Sequence, residues 1–369
     1  MKTPEKAKKH VVREPLCHVV KRDVMPIWKS MSIRVAAVVL ALLFCSLLSI
    51  FMIKANPFEF ISTMFDGVFT SPRKLWRFAK STCVLLCISL AVTPAFRMKF
   101  WNIGAEGQTL ISALAAVAVA FYLGNTLPPI ILLPLMLLAA ILAGAIWAVL
   151  PAIFKAKWGT NETLFTLMMN YVATGLVAYF LLLWVPSGSG VLGELNVGHM
   201  PIVVHNYFLL IVIVLVLAAM LYIYLQHTKH GYEISVVGES ENTARYIGIN
   251  VEKVVVRTMI LSGALCGVAG FLIVSALDHS VTEATVGGLG FTAIMVSWLA
   301  KFNPLIMIGT SAFVTFLMQG AEQITSNFKI DSSFPDMVVG IVLFFIIGCE
   351  FFINYRLKFR KSREKGGNK

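Results

Sequence analysis

Three side chains able to donate or accept hydrogen bonds stand where an apolar run should continue. Asn102, Glu106 and Gln108 lie in the stretch FWNIGAEGQTL (100–110), with Gly104 and Gly107 loosening the backbone between them. A second set, Glu162, Thr166, Asn170 and Thr174, recurs every four residues and shares one helix face, with Asn170 roughly 12 Å along the axis from Glu162. A third runs Ser311, Thr315, Gln319 and Glu322. In apolar surroundings such groups cost free energy unless paired. They can bond one helix to another, at roughly 0.6 kcal/mol per contact, or they can line the path of a solute. Bonding is the simpler role for the Ser and Thr positions. Asn102, Glu106, Asn170 and Gln319 suit either role, and with Gln108 and Thr166 they form the candidate substrate pathway. The stripes are mostly uncharged, which suits a neutral polar solute better than an ion.

Other chemistry finds little support. The pattern of the six cysteines suggests no pairing, and Cys83 and Cys87, one helical turn apart, lack further metal ligands. They read as small apolar fillers. His227 and His230 form an HxxH without a third ligand, so no metal site is expected. Asn161-Glu162-Thr163 matches a glycosylation acceptor, but its loop is expected on the cytoplasmic side. The sequence has no GxxxxGK[ST], no HExxH and no GxSxG. The chain is therefore not expected to be an enzyme or to bind a cofactor of its own.

The elements that must hold these residues follow from composition. Of 369 residues, 58% are hydrophobic and 14% charged, whereas a soluble domain is near half apolar and a quarter charged. Runs of about 20 apolar residues, each enough to span a bilayer, recur along the chain. The expectation is an all-α, polytopic membrane protein with ten spans: 33–53, 78–96, 105–123, 130–150, 162–184, 207–226, 258–277, 291–300, 305–322 and 337–352. Residues 1–30 form a basic N-terminal extension, expected to be retained rather than cleaved. Residues 31–355 form the transmembrane domain, and 356–369 a basic tail.

The net charge of +12 concentrates at the two ends, from Lys2 to Lys29 and from Lys358 to Lys365. Basic flanks beside apolar spans are a topology signal reinforced by anionic lipid, not a nucleic-acid footprint. Both termini are therefore expected in the cytoplasm of a cell-membrane protein. Lys155, Lys157 and the segment 227–257 fall on the same side, while 186–206 and 278–290, which hold no Lys or Arg, fall outside. The segment 54–77 is expected outside yet carries Lys54, Arg73, Lys74 and Arg77.

Two spans are interrupted, at NIGAEGQ and at TEATVGGLGF (282–291). Irregular backbone at membrane depth survives where protein or water satisfies it, and such breaks often border substrate paths. Gly263 and Gly267 form a GxxxG pair expected to pack helices closely. In the polar segment 227–257, Asn242 to Ile247 fits about two helical turns, Gly248 stops them, and Val251 to Val256 leads into the next span. From pattern alone this is an amphipathic connector or a docking helix.

GYEISVVGESENTARYIGIN (231–250) resembles the coupling loop of permeases of the ribose, branched-chain amino acid and nucleoside ATP-binding-cassette importers. WNIGAEGQTLISALAA, NETLFTLMMNYVA and GGLGFTAIMVSWLAKFNP resemble the other signature segments, in the expected order, over roughly residues 30–355. NIGAEGQ with NETLFTLMMNY resembles the nucleoside branch, in which a longer permease, like this chain, pairs with a shorter one. The resemblance implies an importer permease fold, a cytoplasmic ATPase that binds the ATP, and a substrate-binding lipoprotein outside. It implies a nucleoside substrate, with a sugar or branched-chain amino acid as the alternative. An ATP-independent carrier is the rival of another class. Glu239, Asn242, Ala244, Arg245, Tyr246 and Gly248 would couple to the ATPase. Phe165 and Trp298 depart from the small or aliphatic residues expected at their positions.

Overall fold

A computed structural model describes residues 17–22, 26–53, 56–185, 192–203 and 205–359. Most of the expected N-terminal extension and C-terminal tail, with Lys54 and residues 186–191, lies outside them. The described elements run β1 (Cys17–Lys21), α1 (Ile27–Ile53), α2 (Pro57–Phe69), α3 (Pro72–Arg97) and α4 (Ala105–Leu123). Next come α5 (Pro129–Trp158), α6 (Glu162–Trp184), α7 (Phe208–His227), α8 (Lys229–Glu239) and α9 (Glu241–Tyr246). The chain continues through α10 (Val251–Ile273), a π-helical turn (Val274–Asp278), α11 (Leu289–Leu299), α12 (Pro304–Phe328), α13 (Phe334–Asn354) and β2 (Tyr355–Phe359).

Among the described residues, nine helices are long and apolar enough to cross a membrane, and the short α11 completes the ten expected spans. The bounds of α4 and α6 coincide with those expected from sequence. Helix α10 starts a turn or two before the apolar run, because the Asn250 side chain accepts a hydrogen bond from the Lys253 amide and caps it there. Patterning did not reveal α2, α8 or the β1–β2 ribbon. The segment 54–77, expected as a loop, holds α2 and the first turns of α3. Two of its cations have local partners: Lys74 Nζ donates to the Asp66 carbonyl at 2.8 Å and Gln323 Oε1 at 3.1 Å, and Arg77 pairs with Glu322 at 2.9 Å.

The chain divides into two compact units, residues 1–63 with 324–369, and residues 64–323. In the first, α1 packs on α13, and Arg34 Nε donates to Glu350 Oε1 at 2.8 Å. The ribbon pairs antiparallel, with Lys21 opposite Tyr355. Leu40, Leu43 and Leu47 of α1 are exposed, an outward apolar face that suits lipid.

In the second unit α3 and α10 form the centre. Every residue from Thr82 to Phe96 is buried, while α5, α6 and α7 turn Leu138, Leu142, Tyr171, Leu182 and Val216 outward. Helices α5 and α10 meet backbone to backbone. A Cβ on Gly263 would lie 2.3 Å from the Gly144 carbonyl oxygen, and one on Gly267 2.7 Å from that of Ala140. The expected GxxxG contact thus exists, because only hydrogen atoms fit between the two helices at these points.

Candidate functional site

The interrupted span opens into a closed polar knot. Asn102 is fully buried just before α4. Its amide nitrogen donates to Gln108 Oε1 and Ser262 Oγ, each at 3.2 Å, and its oxygen accepts from Gln108 Nε2 and the Gly104 amide, each at 3.1 Å. On α6, Asn170 Oδ1 accepts from the Gly107 amide at 2.9 Å while its nitrogen donates to the Ile103 carbonyl at 3.0 Å. Thr166 Oγ1 accepts from the Ile103 amide at 3.2 Å and donates to the Glu162 carbonyl at 2.7 Å. Backbone groups freed by the helix break therefore find partners on α6. Gly107 allows this approach, since a Cβ there would sit 2.8 Å from Asn170 Oδ1.

Glu106 joins the two interrupted spans. Its carboxylate accepts from the Gly288 amide at 2.8 Å and the Gly290 amide at 2.7 Å. These amides open α11, whose N-terminal partial positive charge favours an anion. Gly288 holds φ +80°, a conformation natural to glycine. Asn102, Gln108, Thr166 and Asn170 thus bind one segment of the chain to another, and Glu106 binds α4 to α11. The bulky Phe165 and Trp298 enter aromatic clusters, Phe165 with Phe154 at 5.0 Å and Trp298 with Trp101 at 5.5 Å between ring centroids.

Gln319 is placed differently. It borders a cavity of about 240 Å³, with Lys80, Ser81, Asp278 and Thr315 also on its wall and the Arg77–Glu322 pair beside it. Gln319 Nε2 donates to the Arg77 carbonyl at 3.3 Å and to Ser81 Oγ at 3.1 Å. Gln319 Oε1 and Thr315 Oγ1 are buried and have no hydrogen-bond partner. Thr315 was visible in its stripe. Ser81 and Asp278 carry no such signal, since no pattern tells which faces of α3 and of the turn after α10 line the cavity.

At the N-terminal end of α10 lies the segment expected to couple to the ATPase. Thr228, Ser240 and Asn250 cap α8, α9 and α10 in turn, each accepting a backbone N–H three residues on. Gly248, at φ +86°, ends α9. The expected helix 242–247 is thus observed one residue earlier, as α9. Glu239, Asn242, Arg245 and Gly248 are exposed, and Tyr246 is 92% exposed. Ala244 faces its own chain, fully buried. The segment is tied down by Arg257 of α10, paired with Glu233 of α8 at 2.8 Å, and by Gly238, where a Cβ would lie 2.2 Å from the Arg97 carbonyl oxygen. Arg245 borders a second cavity, of about 350 Å³, with Lys155, Glu162 and Glu252.

Residues 75–347 match the model of the branched-chain amino acid transport system / permease component family. A glucose ABC transporter permease protein, TsgB13 of Haloferax volcanii, is 29% identical over 91% of this chain and 92% of its own length. The guanosine ABC transporter permease protein NupP of Bacillus subtilis is 26% identical over 83% of this chain and 89% of its own. NupQ, a second guanosine permease protein of that organism, is 26% identical over 58% of this chain and 71% of its own. With its membrane-spanning helices and with the family's model covering the knot, the cavity and helices α8 and α9 alike, this chain belongs to the family of branched-chain amino acid transport system permease components, the membrane-embedded subunits of ABC importers.

Proposed function

We propose that this chain is the longer of two paired permeases in an ABC importer that carries nucleosides across the cytoplasmic membrane. The observation that carries this reading is the knot. NIGAEGQ and NETLFTLMMNY, the two segments that resemble the nucleoside branch, interlock through Asn170 with Ile103 and Gly107. Similarity to NupP and NupQ, two guanosine permease proteins of one organism, supports both the solute and the pairing. A lipoprotein outside delivers the nucleoside, and a cytoplasmic ATPase supplies the energy. Both termini and α8–α9 face the cytoplasm, where the exposed Arg245 and Tyr246 engage the ATPase over the buried Ala244. This chain catalyses no reaction and holds no ATP. It transmits ATPase closure through α9 into α10 and alternates access to the solute path that Gln319 borders.

A sugar is the second reading, favoured by the similarity to the glucose permease protein TsgB13. Uptake of tritiated guanosine and of D-glucose into proteoliposomes holding the whole importer separates the two. The nucleoside reading expects guanosine uptake that unlabelled D-glucose in hundredfold excess does not inhibit. ATP-dependent glucose uptake without guanosine uptake would replace it. Uptake by this chain without the ATPase would remove the ABC mechanism altogether.

A further inference from the structure

We propose that the cavity beside Gln319 is a subsite for the vicinal hydroxyls of the solute's sugar ring, and that it leaves the rest of the solute unread. The inference deepens the nucleoside-importer reading and rests on it for the solute that arrives.

The wall is half finished. Gln319 is 7% exposed and Thr315 2%. The Gln319 amide cannot turn freely, because its nitrogen is held by the Arg77 carbonyl and Ser81 Oγ. Its oxygen is thereby fixed as an acceptor without a donor. One turn away on α12, the Thr315 hydroxyl also has no partner. Buried polar groups left in this state are costly, and in native proteins they ask for a missing partner. A guest hydroxyl supplies one well once a small side-chain movement uncovers these atoms, since it donates to the Gln319 oxygen and can accept from a hydroxyl such as that of Thr315.

Charge narrows the guest. The cavity's cations, Arg77 and Lys80, are balanced by its anions, Asp278 and Glu322. An anionic guest such as a phosphate would meet two carboxylates, and a cationic one two basic groups. A neutral guest rich in hydroxyls can use both kinds, with donors to Asp278 and acceptors for Lys80. Val84, Leu85, Ile273 and Met318 supply an apolar wall for the C–H face of a ring. Size narrows it further. About 240 Å³ lies below the roughly 300–1,000 Å³ of sites that enclose drug-sized ligands. It suits a furanose or pyranose ring rather than a complete nucleoside, so the base stays outside this contact.

The test uses the assembled importer in detergent with Met318→Cys, which places a thiol on the wall. The thiol is labelled with a methanethiosulfonate reagent in the presence of D-ribose or of 2-deoxy-D-ribose. The expected result is protection by D-ribose at concentrations at least tenfold below those needed for 2-deoxy-D-ribose. Adding Gln319→Leu should remove that difference, and the near-isosteric Thr315→Val should reduce it. Equal protection by the two sugars, no protection by either, or a difference that survives both substitutions in an intact complex would overturn the subsite. Protection by D-ribose in an importer that takes up no guanosine would leave the subsite standing and remove the nucleoside reading. Guanosine uptake without protection would do the reverse.

Discussion

The knot around Asn102 and the cavity beside Gln319 hold the same kinds of side chain, amides and hydroxyls in apolar helices, in opposite states. In the knot both amide atoms of Asn102, Gln108 and Asn170 have partners within the chain. In the cavity Gln319 Oε1 and Thr315 Oγ1 have none. Burying a polar group is costly in either place, but only the knot recovers the cost through its own fold. Complete pairing suits architecture, and the unpaired atoms beside the cavity are the ones the proposed subsite uses.

Substitutions sharpen this contrast, and their effects on stability should fall in order. Gly107→Val should abolish assembly, because a Cβ there would sit 2.8 Å from Asn170 Oδ1 and 2.9 Å from its Cα. Loss of the complex from size-exclusion profiles of solubilised membranes checks this. Asn170→Leu strands the Gly107 amide and the Ile103 carbonyl, so the complex should lose about 2–4 kcal/mol, read as a lowered midpoint in detergent thermal unfolding. Unchanged stability would move Asn170 from architecture to the solute path. Glu106→Gln keeps one acceptor but turns an amide N–H₂ toward a backbone amide, for a loss of about 1–3 kcal/mol by the same assay. Thr315→Val should change stability by less than about 0.5 kcal/mol, or raise it slightly, since it removes an orphan hydroxyl, while guanosine uptake falls. A marked destabilisation there would break the contrast. Arg245→Glu should leave stability within about 0.5 kcal/mol and abolish co-purification of the ATPase, because Arg245 is exposed and bears no fold.

Much of the fold was legible because lipid imposes length and apolarity together. The α4 and α6 bounds were readable for that reason. Helices α2 and α8 were hidden because each mixes apolar and polar residues in a segment shorter than a span. The polar residues were also legible as residues, but their roles were not. Spacing put Asn170 and Gln319 on helix faces, and only the neighbours of those faces separate a paired amide from an unpaired one. Asn170 meets the broken backbone at Ile103 and Gly107, whereas Gln319 meets Ser81 and an opening. Ala244 shows the same limit. It lies in a polar, helix-capable segment, yet it points inward while Tyr246, two residues on, points out.

The contact of Gly144 with Gly263, and of Ala140 with Gly267, has a mechanical consequence. Two helices touching through their backbones cannot roll or slide on flexible side chains, so α5 and α10 behave as one stiff beam. From Val251 to Asp278 that beam, with its π-helical turn, is about 40 Å long at 1.5 Å per residue. Under the proposed mechanism α9 pushes on one end, and Asp278 borders the cavity at the other. A tilt of roughly 5° moves the far end of such a lever by about 3–4 Å, more than the length of a hydrogen bond. On that proposal, a small stroke at the α9 end is enough to break or make every polar contact that Asp278 offers at the cavity.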